Sequence, residues 1–151
     1  MMTNVKGVSI IYENEDFIAL NKASGMLTIP DRHDGAQLSL YKLLSQQFDK
    51  IFIVHRLDKE TSGLVLFAKN EASHKHLSQL FEKRNIEKIY LGIIRGSLPN
   101  ETGSIDEPIA EHPTRNGVMT TSKKGKPSLT DYTMLEDYGI YSLVQFNIHS
   151  G

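Results

Sequence analysis

The chain contains no cysteine. That absence excludes a disulfide framework and any thiolate metal site, and it fits a reducing cytosol. No apolar run approaches the ~20 residues of a membrane-spanning helix. Met1 to Ser9 lack the apolar core of a signal peptide. Neither sign of charge dominates: 17 Lys plus Arg stand against 18 Asp plus Glu, a net charge of −1. This balance argues against gripping nucleic acid through total charge and leaves room for a local basic face. The segment from Arg115 to Lys126 offers one, with Arg115, Lys123, Lys124 and Lys126 and no acid among them. Repeats, low-complexity tracts and linkers are missing as well, so the 151 residues are expected to form one domain, 1–151. At 39% hydrophobic residues the chain can bury a core and is not disordered. The expectation is a soluble, cytoplasmic protein.

Metal and nucleotide motifs are lacking too. His33, His55, His74, His76, His112 and His149 follow no ligand spacing, and His74 and His76, two apart on a helix, point different ways. Gly117 to Lys126 contains a Gly-Lys pair without phosphate-loop spacing, and Pro127 stands where Ser or Thr is needed. The sequence therefore implies no cofactor and no metal.

What is present reads as α+β: a mostly antiparallel sheet with packed helices. Val8 to Tyr12 and Phe17 to Asn21 predict a hairpin around the polar turn Glu13 to Asp16. Lys22 to Gly35 reads as loop. Gln37 to Phe48, with Leu40, Leu43, Leu44 and Phe48 at helical spacing, predicts a short amphipathic helix. Asn70 is a good N-cap for a second helix, Glu71 to Arg84, whose Leu77, Leu80 and Phe81 would face the sheet. Glu87 to Arg95 predicts a strand, Ser104 to Ile109 a short one, and Glu111 to Pro127 a long loop or irregular hairpin. Leu129 to Leu135 and Tyr141 to His149 form a second hairpin across Asp137 to Gly139.

Within this frame one stretch carries the chemistry. Apolar Ile51 to Val54 leads into His55-Arg56-Leu57-Asp58-Lys59-Glu60-Thr61-Ser62-Gly63, and apolar Leu64 to Ala68 leads out to Lys69. Two buried strands flanking a charged turn can hold a reactive carboxylate, Asp58, without breaching the core. Spacing alone leaves Arg56 and Asp58 equally readable as an ion pair at a turn. Tyr90, inside an aliphatic strand, is either a rim tyrosine or a second reactive group.

Residues 55–69 closely resemble the signature of the RluA/RluD-type pseudouridine synthases, which modify uridines in ribosomal and transfer RNA. Three further segments agree in order and spacing. Phe17 to Met26 resembles the family's early strand and Lys-Pro-x-Gly loop, with Ala23 in place of the proline. Lys88 to Gly96 resembles the tyrosine segment. Gly125 to Tyr132, continuing to Val144, resembles the later Gly-Lys-x-Ala-x-Thr-x-Tyr stretch and its hairpin.

The resemblance implies the pseudouridine synthase fold and RNA as partner. It implies Asp58 and Tyr90 as catalytic residues, with Arg56, His55, Thr61, Lys88 and Lys126 at the substrate. Asp58 would capture C1′ or steer proton loss from the sugar, and Tyr90 would lie against the flipped uracil as platform or base. Two other readings stay open from the residues: a non-catalytic RNA-binding module using Arg56, Arg115 and Lys123 to Lys126, and a glycoside hydrolase pairing Asp58 with Asp31 or Glu60. No S4-like domain is expected ahead of the motif.

In the family the strand resembling Asn147 to Gly151 runs on into Arg-Thr-His-Gln-Ile-Arg, whose arginine pairs with the catalytic aspartate. The sequence thus resembles the N-terminal part of the catalytic domain. The 151-residue chain is expected to form little or no pseudouridine on its own, because a cationic neighbour that favours ionised Asp58 is missing. Turnover equal to that of a chain extended through the arginine would overturn this expectation.

Overall fold

A computed structural model describes residues 8–31 and 37–150 of the chain. Residues 1–7, 32–36 and 151 lie outside it, and with them His33 and part of the loop expected over residues 22–35. The chain divides into two compact units, with the boundary between Lys83 and Arg84.

The first unit contains β1 (Ser9–Glu13), β2 (Phe17–Lys22), α1 (Leu40–Ser45), β3 (Phe52–Ile53), β4 (Gly63–Ala68) and α2 (Glu71–Glu82). Its four strands form an antiparallel sheet in the order β1-β2-β4-β3. The β1–β2 hairpin turns where expected, because the Asn14 side-chain oxygen accepts the amides of Asp16 and Phe17, each at 2.9 Å. Ile18 and Leu20 of β2 pair with Phe67 and Val65 of β4, and all four are fully buried. Burying them supplies roughly 1.5–3 kcal/mol per side chain. Residues 51–54 do not form the expected buried strand. Only two of them pair, at the sheet edge, and Ile53 stays 37% exposed.

Helix α1 is shorter than residues 37–48. Its start is set by tertiary contacts: the amides of Leu40 and Tyr41 donate to the carbonyls of Leu27 and Thr28, and the Ser39 hydroxyl accepts from Lys42 N. Helix α2 begins as the sequence indicates. The Asn70 side chain accepts from Ser73 N at 2.8 Å, and Asp16 receives hydrogen bonds from Asn70 and Ser73. This places a carboxylate at the helix N-terminus, where it opposes the dipole favourably. Those hydrogen bonds hold the Asp16 carboxyl below its ordinary value. The helix ends two residues earlier than expected, at Glu82, and Arg84 turns into the left-handed region with φ of 57°. Its expected packing stripe of Leu77, Leu80 and Phe81 is only half-buried.

The second unit contains β5 (Ile89–Arg95), β6 (Thr102–Asp106), β7 (Ile109–Glu111), β8 (Met119–Thr121), β9 (Leu129–Asp137) and β10 (Tyr141–Ile148). Strands β5-β10-β9-β6 form an antiparallel sheet, and β7 and β8 a separate ribbon. Residues 104–109 are therefore not one strand. Pro108, which has no amide to donate, separates β6 from β7. The region expected as a long loop or irregular hairpin over residues 111–127 contains most of the ribbon, so the hairpin alternative holds, and the ribbon continues into reciprocal hydrogen bonds between Ile109 and Lys126 at 2.9 and 2.8 Å.

One row of cross-strand neighbours spans the larger sheet: Tyr90 on β5, Phe146 on β10, Tyr132 on β9 and Gly103 on β6. The two central rings fit because glycines leave space. A Cβ on Gly92 would stand 3.1 Å from the Phe146 ring, and one on Gly103 would collide with the Tyr132 hydroxyl. On the opposite face of β5, Ile89, Leu91 and Ile93 are exposed.

Replacing Gly103 by alanine is expected to lower unfolding free energy by ~1–3 kcal/mol through overpacking. Gly92→Ala should cost less, since the ring edge of Phe146 can tilt. Urea unfolding followed by circular dichroism checks both; an unchanged midpoint for Gly103→Ala would contradict the tight seat of Tyr132.

Candidate active site

Between β3 and β4 the signature residues 55–62 leave the sheet as a loop, and residues 22–28 hold it in place. Apart from the resemblance of Phe17 to Met26 to the family's early strand and loop, the only sign of this clamp in the sequence is a lysine at the end of an apolar strand. Lys22 is fully buried. Its ammonium donates to the carbonyls of Ala23 at 3.0 Å, Met26 at 2.7 Å and Lys59 at 3.0 Å. Thr28, also buried, donates its hydroxyl to Leu57 O at 2.8 Å and accepts from Leu57 N at 3.1 Å. Gly25 N donates to Lys59 O at 2.8 Å and the Ser24 hydroxyl to Glu60 O at 2.8 Å. Thr61 N closes the turn onto Asp58 O at 3.1 Å.

Every carbonyl from Leu57 to Glu60 is therefore engaged, while the Asp58 side chain stays exposed. A fixed backbone under a free carboxylate is the arrangement a reactive aspartate needs. No ion pair joins Asp58 to Arg56 among the described residues, so the structural-pair reading of the turn is not realised. The cation that faces Asp58 from within is Lys22. Burial pushes its ammonium below the ordinary lysine value, and the carboxylates of Glu60 and Asp58 pull it back up.

The remaining signature residues divide by role. Arg56 is exposed and Thr61 half-buried beside Asp58. His55 is engaged within the fold: its Nε2 accepts from Leu66 N at 3.1 Å, and its ring stacks on Phe81 with centroids 4.5 Å apart. Lys69, at the end of the signature, ties the β1–β2 turn. It pairs with Glu13 at 2.8 Å and donates to Asn14 O at 2.7 Å, with both side chains mostly buried.

Tyr90, Lys88 and Lys126 belong to the second unit. Tyr90 is half-buried on β5, and Lys88, half-buried as well, lies two residues before it, just ahead of the strand. Burial and the nearby charges of Arg84 and Lys126 hold the Lys88 ammonium below its ordinary value. Arg84 had no role in the sequence reading; only its left-handed backbone and the field it shares with Lys88 single it out.

Residues 16–151 match the family described as RNA pseudouridylate synthase. The chain belongs to that family. An RNA pseudouridine synthase of Aquifex aeolicus is 35% identical over 95% of the chain, and the dual-specificity RNA pseudouridine synthase RluA of Vibrio vulnificus is 37% identical over 82% of it. The chain spans about half the length of these relatives, 49% and 50%. Among solved structures, human RNA pseudouridylate synthase domain containing 1 superposes with a TM-score of 0.80 at 28% identity, covering 100% of this chain and 63% of its own. The fold is thus α+β of the pseudouridine synthase type, built largely of antiparallel sheet. Among the described residues no helix is long and apolar enough to cross a membrane.

Thr28→Val removes the hydroxyl that both donates to and accepts from Leu57, and is expected to cost ~1–3 kcal/mol, whereas Thr28→Ser keeps both bonds. Lys22→Met should cost more than either, since it removes three hydrogen bonds from the buried turn at once. Denaturant midpoints, with hydrogen exchange of the Leu57 amide as local readout, check this; equal stability of the valine and serine variants would refute the clamp.

Proposed function

We propose that this chain carries the uridine-isomerising residues of an RNA pseudouridine synthase acting in the cytoplasm on ribosomal or transfer RNA. Asp58 is the catalytic carboxylate. The observation that carries the reading is its exposure above a loop whose carbonyls are all engaged, within a family whose relatives modify RNA. The reaction breaks the N1–C1′ bond, turns the uracil and joins C5 to C1′, after which the C5 proton leaves to solvent and N1 takes one up. Electron count is conserved, so no redox partner is called for. Charge building on the sugar as the glycosidic bond breaks is met by the carboxylate, either through space or by a covalent bond at C1′.

Arg56 and Thr61 flank Asp58 for the RNA strand, and Arg56 occupies the space that the target base vacates on leaving its stack, a departure that costs a few kcal/mol. Tyr90 lies against the uracil ring, and Lys88 and Lys126 contact the strand. Recognition of unstacked bases and backbone shape suits a chain without net positive charge, provided its cations are grouped. His55, also assigned to the substrate side, supports the loop through Leu66 and Phe81.

The test is tritium release from RNA labelled at C5 of uridine, using the chain joined to the remaining half found in its relatives. Release is expected from the unaltered protein and background counts from Asp58→Asn and Asp58→Ala. RNA binding without tritium release from any cellular RNA would make the chain a binding module. Appearance of free uracil would make it a hydrolase.

A further inference from the structure

Asn116 and Gly117 are the one Asn-Gly pair in the sequence. Both are exposed, in the connection between β7 and β8, within the turn Arg115 to Val118 that Val118 N closes onto Arg115 O at 3.2 Å. Gly117 holds the third position of that turn with φ of 74°, a conformation that suits a residue without a Cβ. The turn uses only its fourth amide. Among the described residues no hydrogen bond engages the Gly117 amide or the Asn116 side chain. A Cβ built on Gly117 would meet nothing within 4 Å, so open space surrounds its backbone nitrogen.

Asn14, Asn70 and Asn147 differ in both respects. Asn14 accepts two turn amides, Asn70 caps α2 and Asn147 donates to Glu87. Each is followed by a residue whose side chain crowds the next nitrogen, Glu15, Glu71 and Ile148. At Asn116 an unengaged side-chain amide stands beside an unhindered backbone nitrogen of the same chain. Attack of one on the other is then unimolecular, which removes the entropic cost of bringing two reactants together.

We propose that Asn116-Gly117 is a self-deamidation site that places a carboxylate at the tip of the β7–β8 ribbon. The Gly117 nitrogen loses its proton to solvent and attacks Cγ of Asn116. The C–N bond of the side-chain amide breaks, and its nitrogen takes up a proton and leaves as ammonia. Water then opens the resulting five-membered imide. Opening at Cγ gives aspartate. Opening at the backbone carbonyl gives isoaspartate, in which the main chain runs through the side-chain methylene. One water enters, one ammonia leaves, and no atom changes oxidation state.

The position gives the change its consequence. Residues 115–126 carry Arg115, Lys123, Lys124 and Lys126 and no acid. Deamidation puts the first carboxylate into this segment, directly after Arg115. The isoaspartate form also lengthens the main chain inside the closed turn. The effect on a polyanion rests on the RNA reading above: a ribbon with one carboxylate among its cations holds RNA less well.

The experiment is prolonged incubation of the folded 151-residue chain in mildly alkaline buffer, followed by peptide mass spectrometry, ammonia release and enzymatic methylation of isoaspartate. Replacement of NH by O is expected in the peptide holding Asn116, far ahead of those holding Asn14, Asn70 and Asn147, and absent from Asn116→Gln. Deamidation of Asn116 no faster than of those three would overturn the site. In parallel, anisotropy of a fluorescein-labelled RNA stem-loop compares the unaltered chain with Asn116→Asp and Asn116→Gln. Asn116→Asp should weaken binding about two- to fivefold at low salt, the scale of one exposed charge, with the difference shrinking as salt rises. Asn116→Gln should bind as the unaltered chain does. Equal affinity of Asn116→Asp and the unaltered chain would overturn the effect on RNA. If the unaltered chain binds no RNA while Asn116 still deamidates, the RNA reading fails and the chemical site stands.

Discussion

A buried ammonium is costly unless every one of its protons finds an acceptor. Lys22 meets that condition with three backbone carbonyls: two in its own loop, Ala23 and Met26, and one across the signature turn, Lys59. The first unit of the chain is arranged around this contact. Strand β2 has to end where Lys22 can point out of the sheet, residues 23–28 have to wrap around the amine, and the turn at residues 57–60 has to come down onto it. Thr28 and the start of α1 follow from the same wrapping, since Leu27 and Thr28 offer their carbonyls to the first amides of that helix.

The consequence for chemistry is a separation of tasks. Backbone groups of residues 57–60 serve the fold, and the Asp58 side chain is left for solvent or substrate. Lys22 still contributes a positive charge beneath the turn, facing Asp58 and Glu60. Hydrogen bonds of this kind are worth only ~0.5–1.5 kcal/mol each in net stability. Their value here lies in removing the alternatives a charged turn would otherwise sample. The far end of the signature is fixed just as firmly, by the Lys69 pair with Glu13.

Local signals made part of this legible. Asn70 announced α2, the polar residues 13–16 announced the first hairpin, and the charged turn between apolar runs announced Asp58; each depends on contacts within a few residues. Family resemblance added Tyr90 and its neighbours. What sequence did not disclose depends on partners far along the chain. Lys22 and Lys59 are 37 residues apart, and Thr28 and Leu57 are 29 apart. Residues 51–54 looked like a buried strand because four apolar residues in a row do not say which of them will lie at an edge. The β7–β8 ribbon was legible only as one of two alternatives, a long loop or an irregular hairpin, because its exposed residues pair through backbone bonds rather than through apolar alternation.

Strand β5 carries Ile89, Leu91 and Ile93 on one face and Tyr90, Gly92 and Ile94 on the other. Burial by itself would barely object if such a strand slipped by one residue along β10, yet a slip would send Tyr90 to the wrong side and turn Leu91 inward. The glycine notches break this near-degeneracy. Only when Gly92 lies beside Phe146 and Gly103 beside Tyr132 do both rings find room. Two residues with no side chain thus act as the vernier of the sheet, and the alignment of Tyr90 is read from where nothing protrudes.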